Sequence, residues 1–150
     1  MAFHLLLAEK DAEFRRTLVE LVQAVRVRLP VALDCDVTSS PEETREQVAR
    51  RQPDALLLDW HIAAEGTPEF IRDLQALDPG IRILVLLPGD ARQYRLAVWA
   101  AGACAGIPRE RVEAEWLTTA VCIMQRAMQR EANLRARVIR ACPGLAEVMR

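Results

Sequence analysis

Two patterns of hydrophobic and polar positions alternate along this chain. Residues 3–8, 55–59 and 81–87 are short, nearly continuous apolar runs, and 31–37 and 103–107 are weaker ones. Such runs suit strands buried on both faces of a parallel sheet. Between them, apolar residues recur at helical spacing. Residues 11–27 place Phe14, Leu18, Leu21, Val22 and Val25 on one face, and Leu29-Pro30 ends that helix. A second helix, to about Arg51, starts on Ser40 as cap, Pro41 in the first turn, and Glu42 and Glu43 against the positive end of the dipole. A third spans 68–77 and closes on Asp78-Pro79-Gly80, and a fourth spans 90–101 with Gly102 at its end. The last starts near Arg109 or Glu110 and reaches about residue 141, where Cys142-Pro143-Gly144 stops it.

Five βα units predict a single doubly wound α/β domain: a five-stranded parallel sheet of flavodoxin-like order 2-1-3-4-5, with an extended C-terminal helix. In that order the functional crevice lies at the carboxyl ends of strands 1 and 3, where the winding reverses. The residues there are Glu9-Lys10-Asp11 and Asp59-Trp60-His61. Carboxylates converging on one point repel, so they need a divalent cation or a basic side chain beside them.

Composition narrows the function classes. The chain has 150 residues, 51% of them hydrophobic, and a net charge of −1, as in an ordinary globular protein. No apolar run approaches membrane-spanning length, and the start lacks a basic leader, so a cytoplasmic location without membrane contact is expected. Cys35, Cys104, Cys122 and Cys142 show no CxxC spacing and read as reduced, mostly buried thiols. Neither a glycine-rich phosphate loop, nor a Gly-x-Ser-x-Gly elbow, nor a metal-spaced His/Cys cluster is present, so an enzyme is not expected. Charge divides the chain: residues 1–125 carry 14 basic and 19 acidic groups, whereas 126–150 carry 6 arginines and 2 glutamates. That asymmetry predicts a body, 1–125, and an arginine-rich helical extension, 126–150.

Three stretches carry a family resemblance. Leu5–Leu18 (LLLAEKDAEFRRTL), Arg51–Asp59 (RQPDALLLD) and the Ala97–Ala103 segment (AVWAAGA) resemble, in register over about residues 3–125, the receiver domains of bacterial response regulators. The resemblance implies phosphorelay signalling. Asp59 would accept a phosphoryl group from a histidine kinase or phosphotransfer protein. Mg²⁺, held by Glu9, Asp59 and the backbone carbonyl of His61, would neutralise the developing charge. A hydroxyl after strand 4, a lysine after strand 5 and an aromatic on strand 5 would then carry the switch.

Set on those positions, the chain departs from the pattern. Lys10 stands at the second acid, and an ammonium cannot ligate Mg²⁺, which counts against the metal; Asp11 substitutes only if the turn is re-registered. Lys10 is therefore expected as a built-in counter-ion for Asp59 and Glu9. Leu87 takes the hydroxyl position and cannot hydrogen-bond phosphate. Arg109 takes the lysine position as a candidate phosphate contact, and Gly106 replaces the aromatic. Asp59-x-His61-x-x-Ala64 partly resembles a cobalamin-binding motif but lacks its final glycine. Two function classes stay open: a phosphorelay receiver with a degenerate switch, and a phosphorylation-independent pseudo-receiver acting as an interaction or dimerisation module. The last helix, with Met124, Ala127, Met128, Leu134 and Val138 along an approximate stripe, is expected either to pack its first half on the sheet and leave a solvated arginine-rich extension, or to pair two copies or lead to an output domain. Its arginines lack interleaved aromatics or a reader motif, so nucleic acid is not expected as partner.

Overall fold

The computed structural model describes residues 2–145. Five parallel strands, β1 (Ala2–Ala8), β2 (Ala32–Thr38), β3 (Ala55–Asp59), β4 (Arg82–Leu87) and β5 (Ala105–Pro108), form one sheet in the order β2-β1-β3-β4-β5. The helices are α1 (Ala12–Arg28), α2 (Pro41–Arg51), α3 (Thr67–Leu77), α4 (Arg92–Ala101) and α5 (Ala114–Ala141). This is the flavodoxin-like arrangement that the alternating runs predict.

Two apolar layers explain why the central strands read as continuous. Leu6, Leu56, Leu58, Ile83, Val85 and Leu87 face α2, α3 and α4 through Val48, Phe70, Ile71, Leu74 and Val98. Leu5, Leu7, Leu57, Leu84 and Leu86 face α1 and α5 through Leu18, Val22, Leu117 and Val121. Successive side chains point to opposite faces, and both faces are covered over Leu5–Ala8, Leu56–Leu58 and Ile83–Leu87, so those stretches hold no polar residue. At about 2 kcal/mol per buried leucine, the Leu56-Leu57-Leu58 run alone anchors both layers.

Boundaries differ where tertiary contacts intervene. Helix α4 starts at Arg92 rather than residue 90, because the Asp90 carboxylate accepts from Arg95 at 2.6 Å and Arg111 at 3.1 Å. Strand β5 starts later than expected because the Ala103 N–H still closes onto the Val98 carbonyl, completing the exit of α4 through Gly102 at φ 114°. The last helix begins at Ala114 rather than near Arg109, since Arg109–Arg111 forms a 3₁₀ turn that turns Arg109 toward the sheet. Helix α5 passes the expected boundary at residue 125 unbroken and stops before Cys142 as expected; residues 146–150 of the extension lie outside the described residues. The four cysteines are free, but the expectation that they are mostly buried fails: Cys104 and Cys142 are exposed, Cys35 and Cys122 half-buried. No helix among the described residues is long and apolar enough to cross a membrane.

Candidate functional site

Strands β1 and β3 are neighbours with Ala8 opposite Leu58, so the residues that follow, Glu9 and Asp59, emerge side by side at the carboxyl edge. Both are buried, Glu9 at 1% exposure and Asp59 at 0%. Local hydrogen bonds fix them. The Glu9 N–H donates to the Thr38 carbonyl at 3.0 Å, and Glu9 Oε1 accepts from the Asp11 N–H at 3.0 Å. Asp11 itself caps α1, accepting from the Glu13 N–H. Asp59 Oδ1 accepts from the His61 N–H at 2.8 Å and lies 2.9 Å from His61 Nδ1. A carboxylate at that distance selects the ring tautomer with hydrogen on Nδ1 and leaves Nε2 facing outward.

The cation at this site comes from across the sheet. Arg109, directly after β5, sets its Nε 3.3 Å from Asp59 Oδ2 and its Nη2 3.5 Å from Glu9 Oε1 and 3.4 Å from Asp11 Oδ2. Its guanidinium stacks 4.0 Å above the Phe14 ring of α1, which fixes the plane of the fork. One arginine thus meets three carboxylates.

That single positive charge does not balance the acids, and the Glu9 carboxyl responds. Burial is the largest cause, with the adjoining Asp59 carboxyl adding to it; together they push Glu9 up to about 7. The Asp11 N–H and the Arg109 charge pull the other way. Glu9 Oε2 and Asp59 Oδ2 find no hydrogen-bond donor among the described residues. The raised Glu9 carboxyl can keep its proton and hydrogen-bond to the adjoining Asp59 carboxyl, as neighbouring buried carboxyls do.

Lys10 is the main correction. Expected as the counter-ion of Asp59 and Glu9, it is exposed and makes no ion pair among the described residues. The chain turns outward after Glu9 to start α1, which carries the Lys10 side chain away while Arg109 covers the carboxylates. Arg109, expected to contact phosphate, therefore holds the counter-ion position. Asp11 joins the cluster at its exposed rim through Arg109. His61, expected to offer only its carbonyl, engages Asp59 through its ring. The signal for that contact was its place two residues after Asp59, where an aspartate that accepts from the following backbone also meets the side chain.

The switch positions are filled by packing. Leu87 is fully buried among α2, α3 and α4 residues. A Cβ on Gly106 would come within 3.2 Å of both Leu87 Cδ1 and Val98 Cγ2, so any side chain there would press on these two residues. Nearby, Trp60 packs edge-on against Tyr94 of α4, with ring centroids 5.1 Å apart. Asp90 bridges α4 and the turn after β5 through Arg95 and Arg111, whose hydrogen bonds and charge hold its carboxyl below the usual range.

These residues do not fit Mg²⁺. The guanidinium of Arg109 lies among the three carboxylates where a divalent cation would have to bind. Among the described residues no group of three His, Cys, Asp or Glu side chains is placed to hold a metal ion.

No protein-family sequence model matches the chain, and no curated protein matches it. Solved structures do. The signal receiver domain of a DNA-binding response regulator from Colwellia psychrerythraea 34H superposes with a TM-score of 0.71 at 13% identity, covering 83% of this chain and 98% of that one. A CheY-like response-regulator receiver domain protein from Methanospirillum hungatei JF-1 gives 0.71 at 17% identity, over 87% and 99% of the two chains. A two-component response regulator from Clostridium difficile gives 0.71 at 13%, over 84% and 98%. The fold is that of receiver domains.

Proposed function

We propose that this receiver-fold chain is a signalling module held in one state by its own arginine, a pseudo-receiver that binds a protein partner without needing phosphate on Asp59. The observation that carries the reading is the Arg109 guanidinium seated on Asp59, Glu9 and Asp11. A phosphoryl donor needs an exposed aspartate oxygen in line with its leaving group, and a metal to neutralise the transferred charge. Here Asp59 is buried, one oxygen turned to His61 and the other to Arg109. The two movable parts of a receiver are also tied down: Leu87 and Val98 fill the space beside Gly106, and Asp90 clasps Arg95 and Arg111. The role is binding rather than catalysis, in the cytoplasm, with the projecting end of α5 as the surface offered to a partner.

Incubation with acetyl phosphate and Mg²⁺, followed by intact mass, tests this. The expected result is no phosphoryl adduct on the wild type. A stoichiometric adduct that Asp59→Asn abolishes would overturn it in favour of the phosphorelay reading, with a histidine kinase or phosphotransfer protein as donor. That second reading is supported by the place of Asp59 at the carboxyl end of β3, and it requires Arg109 to swing off Oδ2.

A further inference from the structure

Past Met128, which still packs against the body, α5 leaves the sheet. Each of residues 129–138 is exposed, and the helix continues to Ala141, a projection of about 20 Å at the usual rise. A helix that short is marginal in water on its own. Its near side is braced: Glu131 receives Arg82 at 2.6 Å, and Met128, Glu131 and Arg135 line a groove of about 270 Å³ against Asp54 and Arg82.

The flank next to that braced side carries an apolar stripe. Ile123, Leu134 and Val138 are exposed at 63%, 52% and 42%, and with Ala127 they fall within about 60° of helical arc. Arg126, Arg130 and Arg137 run along the edge of that stripe away from Glu131, and among the described residues none of them makes an ion pair, Glu131 being held by Arg82. We infer that this face of α5 docks an acidic amphipathic helix of a partner protein, its apolar side on Leu134 and Val138 and its carboxylates on Arg130 and Arg137. The inference rests on the interaction-module reading and names the chemistry of the partner.

Charge decides against a second copy. Ile123, Arg130 and Arg137 share one heptad position, so a parallel pair would set each arginine against its own image at a position that favours apolar side chains. An antiparallel pair about Leu134 would bring Arg137 toward Glu131, which already has Arg82. Nucleic acid would use the arginines but leave Leu134 and Val138 without a contact. An acidic helix satisfies both the stripe and the charge row.

The probe is a fluorescein-labelled synthetic peptide of three heptads, leucine at the apolar positions and glutamate at the flanking ones, titrated with the full chain and read by anisotropy. Saturable binding is expected, weakening as salt rises. The lysine-flanked peptide should not bind. Leu134→Ser/Val138→Ser should abolish binding, and Arg130→Glu/Arg137→Glu should weaken it at least tenfold. Both variants change exposed residues, and unchanged circular dichroism of the body confirms that they fold. The idea fails if the two peptides bind alike. It fails equally if sedimentation shows a wild-type dimer that Leu134→Ser/Val138→Ser dissolves, or if duplex DNA displaces the acidic peptide while the serine variant still binds DNA. Since the peptide is titrated with unmodified protein, a phosphoryl adduct on Asp59 would sink the one-state reading without changing this result.

Discussion

Arginine does opposite work at the two extremes of this molecule. At the carboxyl edge of the sheet, Arg109 is 26% exposed, stacked on Phe14 and shared among three carboxylates. On the projecting end of α5, Arg130, Arg135, Arg137 and Arg140 stand in solvent beside one glutamate. The residue type is the same, and burial sets its meaning. Desolvated carboxylates make a cation indispensable, because removing it strands charge in a low dielectric. In water the same cation is nearly free to leave, and its value lies in what it can later meet.

Substitution at the two places separates these roles most sharply. Arg109→Ala leaves Glu9 and Asp59 adjoining and without a counter-charge, and is expected to cost on the order of 3 kcal/mol in urea unfolding at pH 8. Arg137→Ala should stay within about 0.5 kcal/mol. Equal losses would mean that the site tolerates two bare carboxylates, and the contrast would collapse.

A smaller effect comes from the proton on Glu9. Its carboxyl is raised in the folded protein to about 7, against an ordinary 4.5. The folded state therefore binds more proton than the unfolded one between those values, and this contribution to stability is lost as pH rises through about 7. Glu9→Gln keeps the shape and a neutral group, so it should flatten that part of the pH profile. It should also stabilise the protein at pH 8 by on the order of 2 kcal/mol relative to wild type. A profile for Glu9→Gln that still falls between pH 5 and 8 would assign the proton elsewhere.

The fold and the meeting of Glu9 with Asp59 were legible because both follow from local pattern. Leu56-Leu57-Leu58 admits no solvent-facing side, and strands that end in acids at neighbouring positions must bring those acids together. The identity of the counter-ion was not legible. Lys10 is adjacent in sequence to Glu9, and adjacency favoured it, but a residue beside a buried one at a strand end turns outward. Arg109 lies one hundred positions from Glu9, and its approach depends on the 3₁₀ turn after β5 and on the Phe14 ring. The same turn delayed the start of α5. Ring contact by His61 was only half legible: its place two residues after Asp59 sets it within reach of that carboxylate, but nothing in the sequence says which way an exposed loop histidine turns its ring.

The mildest test lies where the two regions join. Arg82 of β4 reaches Glu131 of α5 at 2.6 Å, the ion pair that leans the helix against the base of the sheet. Glu131 is largely exposed, so Coulomb attraction is screened and the ordering of two long side chains offsets part of it. Glu131→Gln should therefore lower stability by about 0.5 kcal/mol at low salt, and the difference should vanish at high salt. Amide exchange beyond residue 128 should quicken while that of β1 and β3 stays unchanged, since those strands bury their leucines independently of the tail. A loss as large as that of Arg109→Ala would show that the end of α5 belongs to the folding unit. Its exposed stripe would then be a structural margin of the body, and the difference between the two sets of arginines would be one of degree.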